Sequence, residues 1–163
     1  MPKAFVSNLN DNTRTEMIDL LNARLADAIA LGQSVKQAHW AIKGPSFIGI
    51  HELLDAVADR VRDGVDTLAE RAVILGGQPH GTLELAAEKS SLEPYPIDAQ
   101  DQTAHVEALT ERFMDYGAKL RIAMETAGEA GDEGTADLFT EISRITDKDA
   151  WFIGAHATRG DDA

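Results

Sequence analysis

The spacing of the apolar residues limits the possible folds most strongly, because they recur every three or four positions along almost the whole chain. This is the period of amphipathic helices, and few stretches show the strict alternation of a half-buried strand. Proline and paired glycines break the pattern at Gly44-Pro45 and at Gly76-Gly77 before Pro79. The sequence therefore predicts an all-α fold with four long helices, whose approximate ranges are 13–42, 47–75, 101–127 and 134–157.

The predicted boundaries imply a bundle with one long crossover. A capping box, Thr13-x-x-Glu16, is expected to open the first helix, and Gly128 and Gly131 are expected to end the third. The connector 78–100 is long enough to let the second and third helices run parallel, and its middle, 82–89, suits one or two helical turns. We predict a single domain over 1–163, with a short N-terminal extension at 1–12 and a short C-terminal tail at 158–163. In the fourth helix, Ile145 and Trp151 are expected in the core.

The charge and cysteine content narrow the functional classes. The chain has 28 Asp and Glu against 15 Lys and Arg, a formal charge of −13, so it attracts cations and repels nucleic acid and anionic membranes. The absence of cysteine excludes disulfides, thiolate zinc sites, iron–sulfur ligation and a cysteine nucleophile. The N-terminus does not read as a secretory signal, and no apolar run approaches the ~18 residues of a membrane span. We expect a cytoplasmic protein without membrane contact.

The candidate chemistry lies on the second helix, in the pairs His51/Asp55 and Asp66/Glu70. At about 100° per residue these four positions form one stripe, but 55 and 66 are about 16 Å apart along the axis. One metal cluster therefore cannot use both pairs of the same helix. An antiparallel two-fold contact near Arg60 would set one pair opposite the other pair of a second subunit, which makes two sites per dimer.

His39 lies close enough in sequence to the turn before the second helix to complete such a site. Two imidazoles and three carboxylates, without thiolate, suit iron, manganese or zinc, and iron where the site is redox-active. The alternative is a solvated acidic face, the usual role of Asp and Glu on a helix stripe. No Glu-x-x-His motif occurs, so a di-iron site inside the bundle is not expected. His80, His105 and His156 are scattered, and surface or packing roles are expected for them.

Several motifs together resemble the Dps family, the ferritin-like DNA-binding proteins from starved cells. The central ones are His39-Trp40, Lys43-Gly44-Pro45, Phe47, His51-Glu52, Asp55, Asp66-Thr67 and Ala69-Glu70-Arg71-Ala72. Others are Pro94-Tyr95-Pro96, Asp147-Lys148, Trp151-Phe152-Ile153 and Ala155-His156. The resemblance covers nearly the whole chain. It implies a ferritin-like four-helix bundle with a short helix in the long crossover, assembled as a hollow homo-dodecamer.

The resemblance also implies a function, ferroxidase activity at a centre between two-fold-related subunits. Its catalytic metal ligands would be His39, His51 and Asp55 of one subunit and Asp66 and Glu70 of the other. Members of the family oxidise Fe²⁺, mostly with hydrogen peroxide, and store the ferric product as a mineral. Removing both reactants protects the cell from oxidative damage.

Two further sets of residues have open interpretations. Trp40 is either a packing residue or, as proposed for family members, a sink for oxidising equivalents near the iron. Asp132, Asp137 and Glu141 resemble the acidic residues that line the three-fold pores of the family. The alternative for these acids is stabilisation of a helix N-terminus.

The chain departs from the family in its ends. DNA binding usually comes from a basic tail, but residues 1–12 offer only Lys3, and Arg159 stands against Asp161 and Asp162. Because phosphate contacts need clustered cations, we predict weak or no DNA binding at physiological salt. The competing functions are a nucleoid-compacting DNA-binding protein with a secondary iron role, and a structural cage without chemistry.

Overall fold

The fold, obtained as a computed structural model, is described for residues 3–99 and 101–157. This part of the chain forms five helices and no strand, which confirms the all-α prediction and the short helix in the crossover. The helices are α1 (Asp11–Ala41), α2 (Phe47–Ile74), α3 (Leu83–Lys89), α4 (Gln102–Glu129) and α5 (Glu133–Gly154). None of the described helices is both long and apolar enough to cross a membrane.

Side-chain caps set the starts of α1, α3, α4 and α5. Asn10 caps α1, because its side-chain oxygen accepts a hydrogen bond from the backbone N–H of Thr13 at 2.9 Å. The predicted start at Thr13 is therefore wrong: the helix already begins at Asp11, and the Thr13 hydroxyl donates instead to the carbonyl of Ala130. Thr82 and Asp101 cap α3 and α4 in the same way as Asn10.

The ends of α2 and α4 share one turn geometry. After α2, Gly76 has a φ of 88° and the N–H of Gly77 donates to the carbonyl of Ala72, which satisfies the last carbonyls of the helix. After α4, Gly131 adopts the same left-handed conformation as Gly76, with a φ of 78°. Of the two glycines predicted to end the third helix, Gly131 forms the left-handed turn, whereas Gly128 lies inside α4, which continues to Glu129.

The bundle consists of two antiparallel hairpins, α1–α2 and α4–α5, joined by the crossover. The backbone N–H of Ser46 donates to the Gln102 side chain at 3.0 Å, so α2 and α4 begin at the same end and run parallel, as the crossover length predicts. Apolar side chains of all four long helices fill the space between the hairpins. The largest fully buried ones are Met17, Leu21, Leu25, Leu31, Leu54, Leu68, Leu109, Phe113 and Phe139.

A buried carboxylate fastens the crossover to the bundle. Asp27 on α1 is fully buried and accepts hydrogen bonds from the Ser90 hydroxyl and from the backbone N–H and hydroxyl of Ser91. Arg24 forms an ion pair with the same carboxylate at 2.9 Å. A second tie comes from α4, where Arg112 donates to the carbonyl of Glu93. The crossover is therefore held at a fixed position along α1 and α4.

The predicted core positions of the fourth helix are partly wrong. Trp151 is 67% exposed and Ile145 is 37% exposed, whereas Ile142 and Ile153 are buried. At about 100° per residue, Trp151 lies roughly 160° and Ile145 roughly 80° away from Ile153 around the axis. Their apolar character is therefore displayed on the outside of the subunit, which the three-and-four spacing alone does not distinguish from the buried face.

Candidate metal centre

His39 and His51 form a stacked pair where α1 ends and α2 begins. Their ring centroids are 3.7 Å apart, with 20° between the planes. The Nδ1 atom of each ring lies 2.8 Å from the backbone carbonyl of the other residue. Because a carbonyl can only accept, each Nδ1 carries the proton and each Nε2 keeps a free lone pair. This is the tautomer that an Nε2 metal ligand requires.

The local sequence explains why the two rings meet. The chain reverses between Ala41 and Phe47, so the last turn of α1 lies beside the first turns of α2. Ile42 and Ile50 are buried and hold this reversal against the bundle. The carbonyl of His39 has no partner within its own helix end, which leaves it free to accept from the His51 ring. The helix terminus itself thus supplies one of the two hydrogen bonds that orient the pair.

Asp55 lies one turn after His51, and its Oδ1 is 3.5 Å from the His39 Nε2 atom. The same oxygen is 2.6 Å from the Lys36 Nζ atom. The hydrogen bond from Lys36 is the main cause that lowers the pKa of Asp55, and the neighbouring imidazoles add to it while desolvation opposes it. Asp55 is therefore a carboxylate that faces solvent beside the Nε2 atom of His39. A cation that binds there has to displace the Lys36 ammonium or share the carboxylate with it.

Lys36 was missed by the sequence analysis. It lies one turn before His39 on α1, on the same side of the helix. This spacing is the signal that would have placed a fixed positive charge beside the predicted ligands.

Asp66 and Glu70 lie farther along α2 and remain apart from the first group. Both are exposed, and neither makes an ion pair with any described residue. Within residues 3–99 and 101–157 of one subunit, no three His, Cys, Asp or Glu side chains form a group able to hold a metal ion. The structure thus brings His39, His51 and Asp55 together, and leaves Asp66 and Glu70 about 16 Å or more away along the helix.

The middle of α2, between the two groups, has a salt bridge on one side and a groove on the other. Arg60 donates from Nε and Nη2 to the Asp149 carboxylate of α5 at 2.9 Å and 2.6 Å. Burial raises the pKa of Asp149, and the Arg60 guanidinium opposes this shift. The groove runs between α1 and α2 at the point where the sequence analysis places a two-fold contact. Its floor includes the small and apolar residues Ala28, Gly32, Ala58, Val61 and Val65.

The three predicted pore residues fall into two different environments. Asp132 is 3% exposed, caps α5 by accepting from the N–H and hydroxyl of Thr135, and forms an ion pair with Arg71 at 2.7 Å. Its carboxylate is therefore engaged inside the subunit. Asp137 and Glu141 are exposed, one turn apart on α5.

The remaining candidates lie outside this centre. Trp40 is 67% exposed in one subunit, with the Lys36 Nζ atom 5.8 Å from its ring centroid. His80 and His156 are exposed, and His105 is buried against Tyr95, in agreement with the expected surface and packing roles. Arg159, Asp161 and Asp162 of the C-terminal tail lie outside the described residues.

Comparison with known proteins identifies the family. The Ferritin-like domain family matches residues 18–162. The "DNA protection during starvation protein" of Agrobacterium fabrum is 42% identical over 150 residues, which cover 92% of this chain and 93% of that protein. Among solved structures, Mycobacterium smegmatis Dps in its tetragonal form superposes with a TM-score of 0.92 at 28% identity, covering 98% of this chain and 97% of the other. DpsA14 from Streptomyces coelicolor gives 0.91 at 33% identity, covering 98% and 94%. The chain belongs to the Dps family of ferritin-like proteins.

Proposed function

We propose that this protein oxidises Fe²⁺ with hydrogen peroxide at centres shared between two-fold-related subunits, and stores the ferric product inside a hollow dodecamer. The observation that carries the proposal is the reciprocal hydrogen bonding of His39 and His51 to each other's carbonyls. It leaves the Nε2 atom of each ring free to bind a cation, with the exposed Asp55 carboxylate beside that of His39, and the described part of the same subunit completes no metal-binding group.

The missing ligands are supplied by symmetry in this proposal. An antiparallel contact of two α2 helices near Arg60 and Val61 brings Asp66 and Glu70 of the partner subunit opposite His51 and Asp55. The small and apolar floor of the α1–α2 groove supports close approach of a second copy at this place. Asp66 and Glu70 are exposed and unpaired among the described residues, so no intramolecular ion pair has to be broken.

Each side chain has a defined chemical part. The carboxylates are hard anionic ligands, which stabilise Fe³⁺ more than Fe²⁺ and so favour oxidation of the bound substrate ion. The imidazoles, fixed in one tautomer, hold the ion without adding charge. Peroxide accepts two electrons, one from each of two Fe²⁺ ions, and its O–O bond breaks without release of a hydroxyl radical.

The surface charge supports cation uptake. The net charge of −13 raises the local concentration of Fe²⁺ around the assembly. We propose that the exposed Asp137 and Glu141 line the pores. Asp132 instead stabilises the start of α5 and is held there by Arg71. The same negative charge supports the expectation that DNA is bound weakly or not at all.

Subunit complementation tests the shared centre. His51→Ala and Glu70→Ala subunits are each expected to lose fast peroxide-driven oxidation when assembled alone. In a mixed dimer, one of the two sites combines both defects while the other contains only unaltered ligands. Co-assembled variants are therefore expected to recover up to roughly half of the wild-type activity per mixed dimer.

The controls separate assembly from chemistry. His80→Ala, which alters an exposed histidine elsewhere, is expected to behave as wild type in both stopped-flow oxidation and sedimentation. Failure of the mixture to exceed either parent, with all assemblies of the same size, would show that the ligands of one site do not come from two subunits.

A further inference from the structure

A hydrogen-bonded tyrosine–histidine pair is left unused by the proposed metal centre. Tyr95 lies in the crossover between Pro94 and Pro96, and its Oη atom is 2.7 Å from the Nδ1 atom of His105 in α4. The two rings are nearly parallel, with 13° between their planes. His105 is 1% exposed. The imidazole is therefore shielded from bulk water, and the partly buried phenol is held against it.

The protonation states of the pair follow from burial. Burial raises the pKa of Tyr95 to about 12, so the phenol keeps its proton and donates it in the hydrogen bond. Burial also lowers the pKa of His105, so its imidazole is neutral and accepts at Nδ1. The proton then sits on Nε2, which has no hydrogen-bond partner in the described part of the chain. The pair therefore joins a protonated phenol to a neutral imidazole whose Nδ1 atom can accept the phenolic proton.

The other tyrosine of the chain provides an internal contrast. Tyr116 is 2% exposed, and its hydroxyl finds no partner among the described residues. Its pKa is also raised by burial. The two phenols thus differ in two respects: Tyr116 is buried and Tyr95 partly buried, and among the described residues only Tyr95 has a proton acceptor at hydrogen-bonding distance.

The pair lies at the same end of the bundle as the candidate metal ligands. Gln102 at the start of α4 bonds to Ser46 at the start of α2. From this junction, His105 is roughly 5 Å along α4 and His51 roughly 8 Å along α2, and the two helices are parallel. The imidazoles of His105 and His51 therefore stand at similar heights in the bundle.

We propose that Tyr95 is a one-electron donor that quenches oxidising equivalents escaping from the metal centre, with His105 as the acceptor of its phenolic proton; this rests on the proposed function. When a single Fe²⁺ ion meets peroxide, one electron breaks the O–O bond and leaves hydroxide and a hydroxyl radical. Tyr95 gives one electron, which reduces that radical to hydroxide. The phenolic O–H bond breaks, and its proton moves to Nδ1 of His105.

A second Fe²⁺ substrate ion restores Tyr95 and His105 to their starting states. A second Fe²⁺ returns one electron to the neutral tyrosyl radical, and the proton returns from the imidazolium to the phenolic oxygen. In sum, one peroxide has taken one electron from each of two Fe²⁺ ions that arrived at different times. We expect Tyr116 not to act in this way, because its hydroxyl has no proton acceptor within residues 3–99 and 101–157.

The first experiment needs no iron. In a background of Trp40→Phe and Trp151→Phe, which removes the two exposed tryptophans, the assembled protein is oxidised by photogenerated ruthenium(III) tris-bipyridine and freeze-quenched for electron paramagnetic resonance. We expect a tyrosyl signal that falls about tenfold in Tyr95→Phe and is unchanged in Tyr116→Phe. His105→Gln keeps an acceptor but removes the base, so radical formation is expected to slow about tenfold and to lose the slowing that D₂O causes in the parent.

The second experiment adds sub-stoichiometric Fe²⁺ and peroxide, with a spin trap for escaping hydroxyl radical. Tyr95→Phe is expected to raise the trapped yield severalfold over Tyr116→Phe, at equal assembly size. A tyrosyl signal that survives Tyr95→Phe, or equal trapped yields in the two variants, overturns the proposal. If the parent oxidises Fe²⁺ no faster than free solution does, the proposed function fails, and the iron-free signal alone decides whether Tyr95 and His105 form a redox pair.

Discussion

The two polar halves of α2 differ in how much of their geometry a single subunit provides. In the first half, the His51 ring is stacked on His39, bonded to its carbonyl and adjacent to Asp55. In the second half, Asp66 and Glu70 project into solvent without an intramolecular ion pair among the described residues. If the proposed centre is shared between subunits, the difference teaches that strict orientation is needed only for the ligands whose tautomer matters, while the carboxylates are positioned by the subunit contact itself.

This division has an energetic reason. An imidazole binds a cation through one nitrogen only, so the fold has to fix both the proton and the ring plane before binding. A carboxylate has two equivalent oxygens and several lone pairs, and it tolerates a range of approach directions. Preorganising the first half lowers the ordering cost of metal binding, and leaving the second half solvated avoids burying two negative charges in the free subunit.

The largest expected effect comes from the preorganised half. His51→Ala removes one ligand and also the carbonyl bond that fixes His39, so peroxide-driven oxidation is expected to fall about a thousandfold, beyond the ten- to hundredfold typical when only a ligand's partner is lost. Stopped-flow absorbance of the ferric product measures the rate. A rate within twofold of the His80→Ala control, at unchanged assembly size, would remove this half from the centre.

The Arg60–Asp149 salt bridge, which lies between the two halves of α2, is expected to affect the stability of the fold more than the oxidation rate. Arg60→Met leaves the Asp149 carboxylate buried without its partner, which costs about 3 kcal/mol of unfolding free energy. Burial already raises the pKa of Asp149, and losing Arg60 removes what opposes that shift. Above this raised pKa the carboxylate is charged in the folded state and the deficit is complete. The deficit shrinks as the pH falls from the raised pKa toward the ordinary pKa of Asp, below which the carboxyl is protonated in both folded and unfolded states. Denaturant unfolding at several pH values checks the sign, and a deficit independent of pH would contradict it.

A smaller effect is expected from the solvated half. Glu70→Gln keeps an oxygen ligand and removes one negative charge, so the oxidation rate is expected to fall roughly tenfold while Co²⁺ still binds to the imidazole half with a visible spectrum. The matched control is Glu107→Gln, an exposed carboxylate on α4. Loss of the Co²⁺ spectrum in Glu70→Gln would mean that the two halves do not bind in the order of their preorganisation.

The smallest expected effect concerns the competing ammonium. Lys36→Gln removes the cation that bonds to Asp55, so Co²⁺ affinity is expected to rise roughly two- to fivefold, the worth of an exposed ion pair. Titration followed by visible absorbance measures it, with Lys119→Gln on α4 as control. Weaker binding in Lys36→Gln would show that the ammonium orients Asp55 for the metal rather than competing with it.

Periodicity, prolines and four-residue spacings are local signals. From them the sequence predicts the helices, the crossover and a grouping of His39, His51 and Asp55. The sequence does not predict the stacking of the two imidazole rings or the hydrogen bond from each ring to the backbone carbonyl of the other residue. Both depend on how the end of α1 and the start of α2 meet in space. The exposure of Trp151 shows the same limit, since an apolar residue at helical spacing can belong to either face. For Asp132 the sequence leaves a pore role and a role at a helix N-terminus open, and only the position of Arg71 reveals that its carboxylate is held inside the subunit.

The attachment of the crossover to Asp27 has a consequence for how the chain folds. Each hairpin brings together helices that are neighbours in sequence, so α1–α2 and α4–α5 can form with short loop closures. The contacts of Asp27 with Ser90 and Ser91 join parts of the chain more than sixty residues apart, and they form only when the crossover is already in place. We therefore expect the hairpins to gain protection from hydrogen exchange first and the amide of Ser91 to gain it late. The docking of the two finished hairpins is then the slow step.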